Sequence, residues 1–154
     1  MAGGGGRGDG GVIRPAPPAD LGAVLDLLEA CDLPVDGVAA AFGTFLVATG
    51  DAGAVVGSAR LEARDDEVLL RSLAVAPPHR GRGIGDGLFR EIVAVARARG
   101  ARRAWLLTGT AAPVFAHHGF EVAARDDAPE EIRETVEFRE ACPESATCMA
   151  RHLE

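Results

Sequence analysis

The sequence predicts an α/β fold of one domain: a mixed sheet of about six to seven strands, mostly antiparallel with one central parallel pair, flanked by helices. Three observations carry that expectation. Thr44 to Thr49, Val55 to Ala63 and Glu67 to Val75 are β-like runs joined by turn residues at hairpin spacing, Gly50-Asp51-Ala52-Gly53 and Asp65-Asp66, and read as an antiparallel meander. From Gly83 on, Ile84, Leu88, Ile92, Val95, Ala96 and Arg99 recur at steps of three and four until Gly100. That spacing spells a helix of about 17 residues, roughly 25 Å long. The apolar run Ala104 to Thr108 follows this helical crossover, so it should lie parallel to the strand ending at Val75, with Val75 and Thr108 at one sheet edge.

The remaining elements follow in order. Met1 to Gly11 is mostly glycine and cannot bury enough surface to offset its ordering entropy; it reads as a disordered leader to a domain spanning 12–154. Val12-Ile13-Arg14 is a short strand and Pro15 to Pro18 a turn. Asp20 caps or begins a helix whose Leu21, Val24, Leu25, Leu27 and Leu28 form one apolar stripe, ended by Leu33-Pro34. Asp36 is placed to cap a second short helix, Gly37 to Phe42. Beyond Thr108 the chain reads as a short helix (Ala111 to His118), a strand (Phe120 to Ala124) and a turn at Asp126-Asp127. A helix from Pro129 to Phe138, with proline in its first turn, and a closing strand from Thr147 to Arg151 complete it.

Composition excludes several function classes. With 154 residues, 47% hydrophobic and 25% charged, the chain can bury one substantial core. A net charge of −7 and dispersed arginines give no contiguous basic face, so no nucleic-acid partner is expected. There is no run of about 18 apolar residues and no signal-peptide pattern. Neither membrane insertion nor export is suggested, and a cytoplasmic location is expected. Cys31, Cys142 and Cys148 form no Cys-x-x-Cys pair and read as buried or incidental thiols, with no metal site. Lys, Asn, Gln and Tyr are all missing, the mark of a GC-rich genome rather than of a packing constraint.

The chemistry gathers after Leu73-Ala74-Val75. Pro77-Pro78 ends that strand because neither ring nitrogen can donate to a ladder. The turn Arg80-Gly81-Arg82-Gly83-Ile84-Gly85 then opens the long helix, whose first N–H groups have no internal partner. Glycines let an anion approach those amides, and Arg80 and Arg82 add charge in a fork suited to phosphate oxygens. A nucleoside-triphosphate loop would need Gly-Lys followed by Ser or Thr, and the chain has no lysine. A dinucleotide fingerprint counted from Gly81 would need Gly or Ala where Asp86 stands, and that carboxylate would repel a pyrophosphate.

The pattern Arg80-x-x-Gly83-x-Gly85 behind Leu-Ala-Val-Ala-Pro-Pro-His resembles the acyl-CoA pyrophosphate loop of the GNAT superfamily of N-acetyltransferases. Leu106-Leu107-Thr108, followed by Val114-Phe115-Ala116-His117-His118-Gly119-Phe120, resembles that family's second signature. The resemblance runs roughly from Val12 to the C-terminus. Leu70-Arg71-Ser72, Leu107-Thr108, Glu130-Glu131-Ile132-Arg133-Glu134-Thr135 and Cys142-Pro143-Glu144-Ser145-Ala146 are similar to a narrower group. These are the amino-acid N-acetyltransferases found with arsenic-resistance operons, which in turn resemble short N-acetylglutamate synthases.

The resemblance implies a GNAT-like sheet, acetyl-CoA as co-substrate with no metal, and a homodimer. It also implies a small-molecule amine acceptor, glutamate-like or a toxic phosphinate or arsinate analogue. Acetyl-CoA is expected along Leu73, Ala74 and Val75 and on Arg80, Gly81, Arg82, Gly83, Ile84, Gly85 and Asp86. Phe115 stands where many relatives carry a Tyr that protonates the departing thiolate; His117 or His118 is a substitute, or else an exposed helix-end residue. The Val75 N–H is implied as the oxyanion donor, a role worth roughly 2.7–4 kcal/mol. Glu62 is the nearest carboxylate to take the amine proton, with Ser72 or Thr108 as water-holding hydroxyls; a surface-facing Glu62 is the alternative, and the base stays unassigned. Arg71 and Arg133 carry planar guanidiniums suited to an acceptor carboxylate, and either one is structural if it pairs with Glu62 or Glu67 instead. A non-catalytic acyl-CoA-binding regulator and an N-acetylglutamate synthase-like enzyme are the alternative functions.

Overall fold

The period-two runs are strands, and the run at steps of three and four is a helix, in the computed structural model, which describes residues 12–33, 35, 38, 39, 45–109, 111–135, 138 and 146–153. The elements are β1 (Val12–Pro15), α1 (Leu21–Ala30), β2 (Phe45–Thr49), β3 (Val55–Arg64), β4 (Glu67–Val75) and α2 (Ile84–Ala98). They continue with β5 (Arg103–Thr108), α3 (Ala112–His117), β6 (Glu121–Val122), α4 (Glu130–Arg133) and β7 (Thr147–His152). In hydrogen-bonded order the strands run β1-β2-β3-β4-β5-β7-β6, and β4–β5 is the parallel pair in an otherwise antiparallel set. This is the α/β mixed-sheet class that the sequence predicts.

The described residues fall into two compact units. The first holds those up to Leu61 together with Ser72–Val95. Within it β2 pairs antiparallel with β1 and with β3, Val12 opposite Thr49 and Phe45 opposite Arg60. The apolar stripe of α1 closes one core, in which Val24 and Leu28 pack with Phe45, Val47 and Ala74. Gly57 was not singled out in the sequence. A Cβ there would come within 2.8 Å of Leu88 Cδ1 and 3.2 Å of Ala74 O, so its missing side chain is what admits α2 against β3. Ser72 adopts φ 58° inside β4, unusual for a non-glycine residue, and its carbonyl accepts from Ser58 Oγ at 2.7 Å.

The second unit holds Glu62–Arg71 and the described residues from Ala96 on. Here β4 meets β5 over Glu67↔Arg103, Val68↔Ala104 and Leu69↔Trp105, and β7 pairs with β5 from Arg103↔His152 to Thr108↔Thr147. Leu69, Trp105, Ile132, Phe138 and Cys148 form its core. Glu67 receives Arg103 through both carboxylate oxygens, at 3.0 and 3.2 Å, and the Trp105 Nε1–H at 2.7 Å. The start of the parallel pair is pinned there.

Three expectations about elements are narrowed or corrected. Asp20 begins α1 without capping it, because its carboxylate accepts from Arg14 Nη1 at 2.8 Å. Of the helix expected from Pro129 to Phe138, the α-helical part described is the single turn Glu130–Arg133, and Phe138 lies in a wider helical turn, with 136 and 137 outside the described residues. Thr135 Oγ1 donates to Ile132 O at 2.7 Å and accepts the Phe138 N–H at 3.4 Å, offering the backbone a local alternative to the next turn. The strand expected from Phe120 to Ala124 is only Glu121–Val122, both exposed. The leader 1–11, most of the helix expected at Gly37 to Phe42, Thr44 and Cys142 lie outside the described residues.

Candidate active site

The end of β4 is where strand, turn and helix converge, all within the first unit. Leaving Val75, the chain bonds once more to its neighbour, Ala76 N–H donating to Val56 O at 2.8 Å, and the two prolines then impose a 3₁₀ turn at Pro77–His79. Gly81 and Gly83 follow with φ of 81° and 83°, left-handed values that cost an L side chain roughly 1–2 kcal/mol. A Cβ built on either would meet no atom within 4 Å, so the space over the turn is open. Arg80, Gly81, Arg82 and Gly83 are exposed, as is Asp86 in the first turn of α2, while Ile84 is buried and anchors the helix start. Gly87 N–H donates to Gly83 O at 3.0 Å, which fixes where the helical ladder begins. The Cβ position of Gly85 lies 3.6 Å from Val75 Cγ2, so the helix N-terminus abuts the strand end. Amides ahead of the ladder, the helix dipole and the exposed Arg80 and Arg82 are thus gathered at one turn.

Arg80 is engaged at the root of that turn. Its Nε donates to Val75 O at 2.9 Å and its Nη2 lies 3.4 Å from Cys31 Sγ, at the C-terminal end of α1. Nothing in the letters around Cys31 marks it as more than a small apolar residue.

The other candidates belong to the second unit, apart from Ser72, whose carbonyl is held by Ser58 as described. Arg71 is almost wholly buried and donates from Nη1 to Glu62 Oε1 at 3.1 Å; Arg64 Nη2 holds Glu62 Oε2 at 2.5 Å. This is the pairing under which the sequence reading makes Arg71 structural. Thr108 is buried, and its Oγ1 accepts the Ala111 N–H at 3.0 Å at the entrance to α3. Phe115, half-buried on α3, meets Phe120 edge to face at 6.1 Å between ring centres. Arg133 is exposed and spends its Nε on Ala128 O at 3.0 Å. Cys148 sits inside the core, and burial pushes its thiol up to about 11, with Arg125 pulling it down and Asp127 adding a smaller push upward. Among the described residues no three His, Cys, Asp or Glu side chains are grouped to hold a metal ion, and no helix is long and apolar enough to cross a membrane.

Comparison with known proteins bears on the same segment. Residues 41–122, more than half of the chain, match the family described as acetyltransferase (GNAT) domain. The chain is 42% identical over 76 residues to N-alpha-acetyltransferase 80 of Mus musculus, covering 47% of this chain and 24% of that protein. It is 32% identical over 132 residues to an amino-acid acetyltransferase of Ralstonia nicotianae, covering 79% of this chain and 29% of that one. It thus spans less than a third of either relative's length. Its fold overlays N-acetylglutamate synthase of Neisseria gonorrhoeae, solved with coenzyme A and N-acetyl-glutamate, with a TM-score of 0.81 and 25% identity over 94% of this chain and 35% of the other. On the match of fold and sequence across the glycine turn, the chain belongs to the GNAT acetyltransferase family.

Proposed function

We propose that the chain is an acetyl-CoA-dependent N-acetyltransferase whose acceptor is the amine of a small amino-acid-like molecule. The observation that carries the reading is the β4–α2 junction, where an open glycine turn lies between the strand end and a helix start whose Gly85 Cβ position is 3.6 Å from Val75. Open space over Gly81 and Gly83 suits a diphosphate, and the exposed Arg82 adds charge. In this reading the amides from Gly81 to Gly85 hold the diphosphate, and Leu73, Ala74 and Val75 line the pantetheine arm.

Acetyl-CoA supplies an electrophilic thioester carbonyl. As the acceptor nitrogen forms its C–N bond, the Val75 N–H donates to the oxygen on which negative charge develops. The C–S bond then breaks, the sulfur leaves with the electron pair, and the amine proton passes to water. A thiolate with an ordinary pKa near 8.5 leaves without an acid, so Phe115 in the place of a tyrosine does not block the reaction. Both Glu62 oxygens are occupied by Arg71 and Arg64, and we assign Glu62 to orienting Arg71 rather than to taking the proton. Arg133 is our candidate to hold the acceptor carboxylate, since its exposed head has donors beyond the Nε used on Ala128.

The amino-acid class rests on the Ralstonia and Neisseria relatives. A second reading, acetylation of a peptide N-terminus, is favoured by the 42% identical segment shared with the mouse enzyme. On the sequence resemblance alone we extend the first reading to a cytoplasmic homodimer, with 12–154 as the catalytic domain and a role in disarming an arsinate or phosphinate analogue. The test is thiol release from acetyl-CoA with glutamate, other amino acids, arsinate and phosphinate analogues and short peptides. Turnover with free amino acids or their analogues supports the proposal, turnover with peptides alone supports the second reading, and binding of acetyl-CoA without turnover of any amine contradicts both.

A further inference from the structure

The sequence gives Arg80 to the phosphate oxygens, yet its guanidinium is engaged at the strand end. Nε donates to Val75 O at 2.9 Å, Nη2 lies 3.4 Å from Cys31 Sγ, and that sulfur lies 3.6 Å from the same carbonyl. Cys31 is itself fixed, because its N–H reaches Leu27 O and Leu28 O at the close of α1, each at 3.1 Å. Across the same peptide unit, the Ala76 N–H donates to Val56 O at 2.8 Å. The Val75–Ala76 peptide is therefore gripped at its oxygen and at its hydrogen. The grip has a local cause. Pro77 and Pro78 carry no N–H, and the next two backbone N–H groups, of His79 and Arg80, turn to Ala76 O and Pro77 O, so it is a side chain five residues beyond Val75 that reaches back to the Val75 carbonyl.

We propose that Arg80 and Cys31 are positioning residues for Val75, and that Arg82 rather than Arg80 supplies the loop's positive charge to the diphosphate. This rests on the acetyl-CoA reading above. The peptide they hold is the one directly after the Val75 N–H, so fixing its plane leaves that donor with little freedom beyond rotation about Val75 itself. A donor aimed in advance costs no reorganisation during the reaction. Freed from its strap, the same donor is present but misdirected.

The full chain is compared with Arg80→Ala, Arg80→Lys, Arg82→Ala, Cys31→Ser and Cys31→Val, each checked for folding by circular dichroism, with calorimetric titration of CoA and steady-state kinetics. Arg80→Ala is expected to lower kcat by about 10-fold or more while the Kd for CoA and its salt dependence move less than about 3-fold. Arg82→Ala is expected to raise that Kd by about 10-fold and flatten the salt dependence. Cys31→Val should lower kcat in the same sense as Arg80→Ala, and Cys31→Ser, which keeps a donor, should restore it. One measurement needs no variant to be active: the Arg80 Nε–H resonance, assigned by its disappearance in Arg80→Lys, should keep its shift when CoA is added. Weakened, salt-insensitive CoA binding in Arg80→Ala, or a CoA-dependent move of that resonance, overturns the proposal while leaving the acetyl-CoA reading intact. Failure of the unaltered chain to bind CoA brings down both.

Discussion

Arg71 Nη1 donates to Glu62 Oε1 at 3.1 Å, and the arginine side chain is only 2% exposed. A buried guanidinium robbed of its carboxylate is costly. Glu62→Ala is therefore expected to lose about 3–5 kcal/mol in urea unfolding. Glu62→Gln keeps an oxygen for Arg71 and should hold kcat within about 3-fold of the unaltered chain, where removal of a general base would cost about 10²-fold or more. A large kcat loss in a folded Glu62→Gln protein would return Glu62 to the role of base.

If Arg133 holds the acceptor carboxylate, Arg133→Ala raises the KM for the acceptor by about 10-fold and leaves the KM for acetyl-CoA near its starting value, the loss expected of a charge-assisted hydrogen bond. Arg71→Ala tests the opposite assignment. It should lower the melting temperature first, and a selective rise in acceptor KM without loss of stability would make Arg71 the carboxylate ligand.

Much of this was legible in the letters. The meander, the long amphipathic helix and the parallel crossover were readable because each repeats one period long enough to dominate its neighbours. The glycine turn was readable because prolines, glycines and arginines sit at fixed offsets in one short window. Pairings distant in sequence were not. Nothing local tells Glu67 that Arg103 and Trp105 will meet it, or Cys31 that it will lie against Arg80, and Gly57 looks like any strand glycine until Leu88 closes over it. The α-helical turn that begins at Glu130 gives way at Thr135, whose buried hydroxyl bonds Ile132 O, a competition that the acidic letters around it do not announce.

Gly57→Val should destabilise the protein by about 1–3 kcal/mol through overpacking against Leu88 and the Ala74 carbonyl, measured by thermal melting. No loss of stability would mean that α2 does not rest on β3 at this point.

The Cys148 thiol gives a pH signature. Its pKa, raised by burial to about 11 against an ordinary 9.0, means that the unfolded chain gives up this proton at a lower pH than the folded one. The stability is full below pH 9 and lost as pH rises toward 11, by about 2–3 kcal/mol over that window. Urea melts from pH 8 to 10.5 should show this decline in the unaltered chain and a shallower one in Cys148→Ala. Identical slopes would show the thiol to be unperturbed.

The central claim is that the glycine turn between Arg80 and Gly85 holds the diphosphate of acetyl-CoA, and heat denaturation with and without acetyl-CoA tests it most directly. At a ligand concentration of about 100 Kd the unaltered chain should gain about 2.7 kcal/mol, seen as a rise in Tm, and Gly83→Ala should lose most of that gain while still folding. A chain whose melting acetyl-CoA does not move, or a Gly83→Ala protein protected as well as the original, contradicts the account.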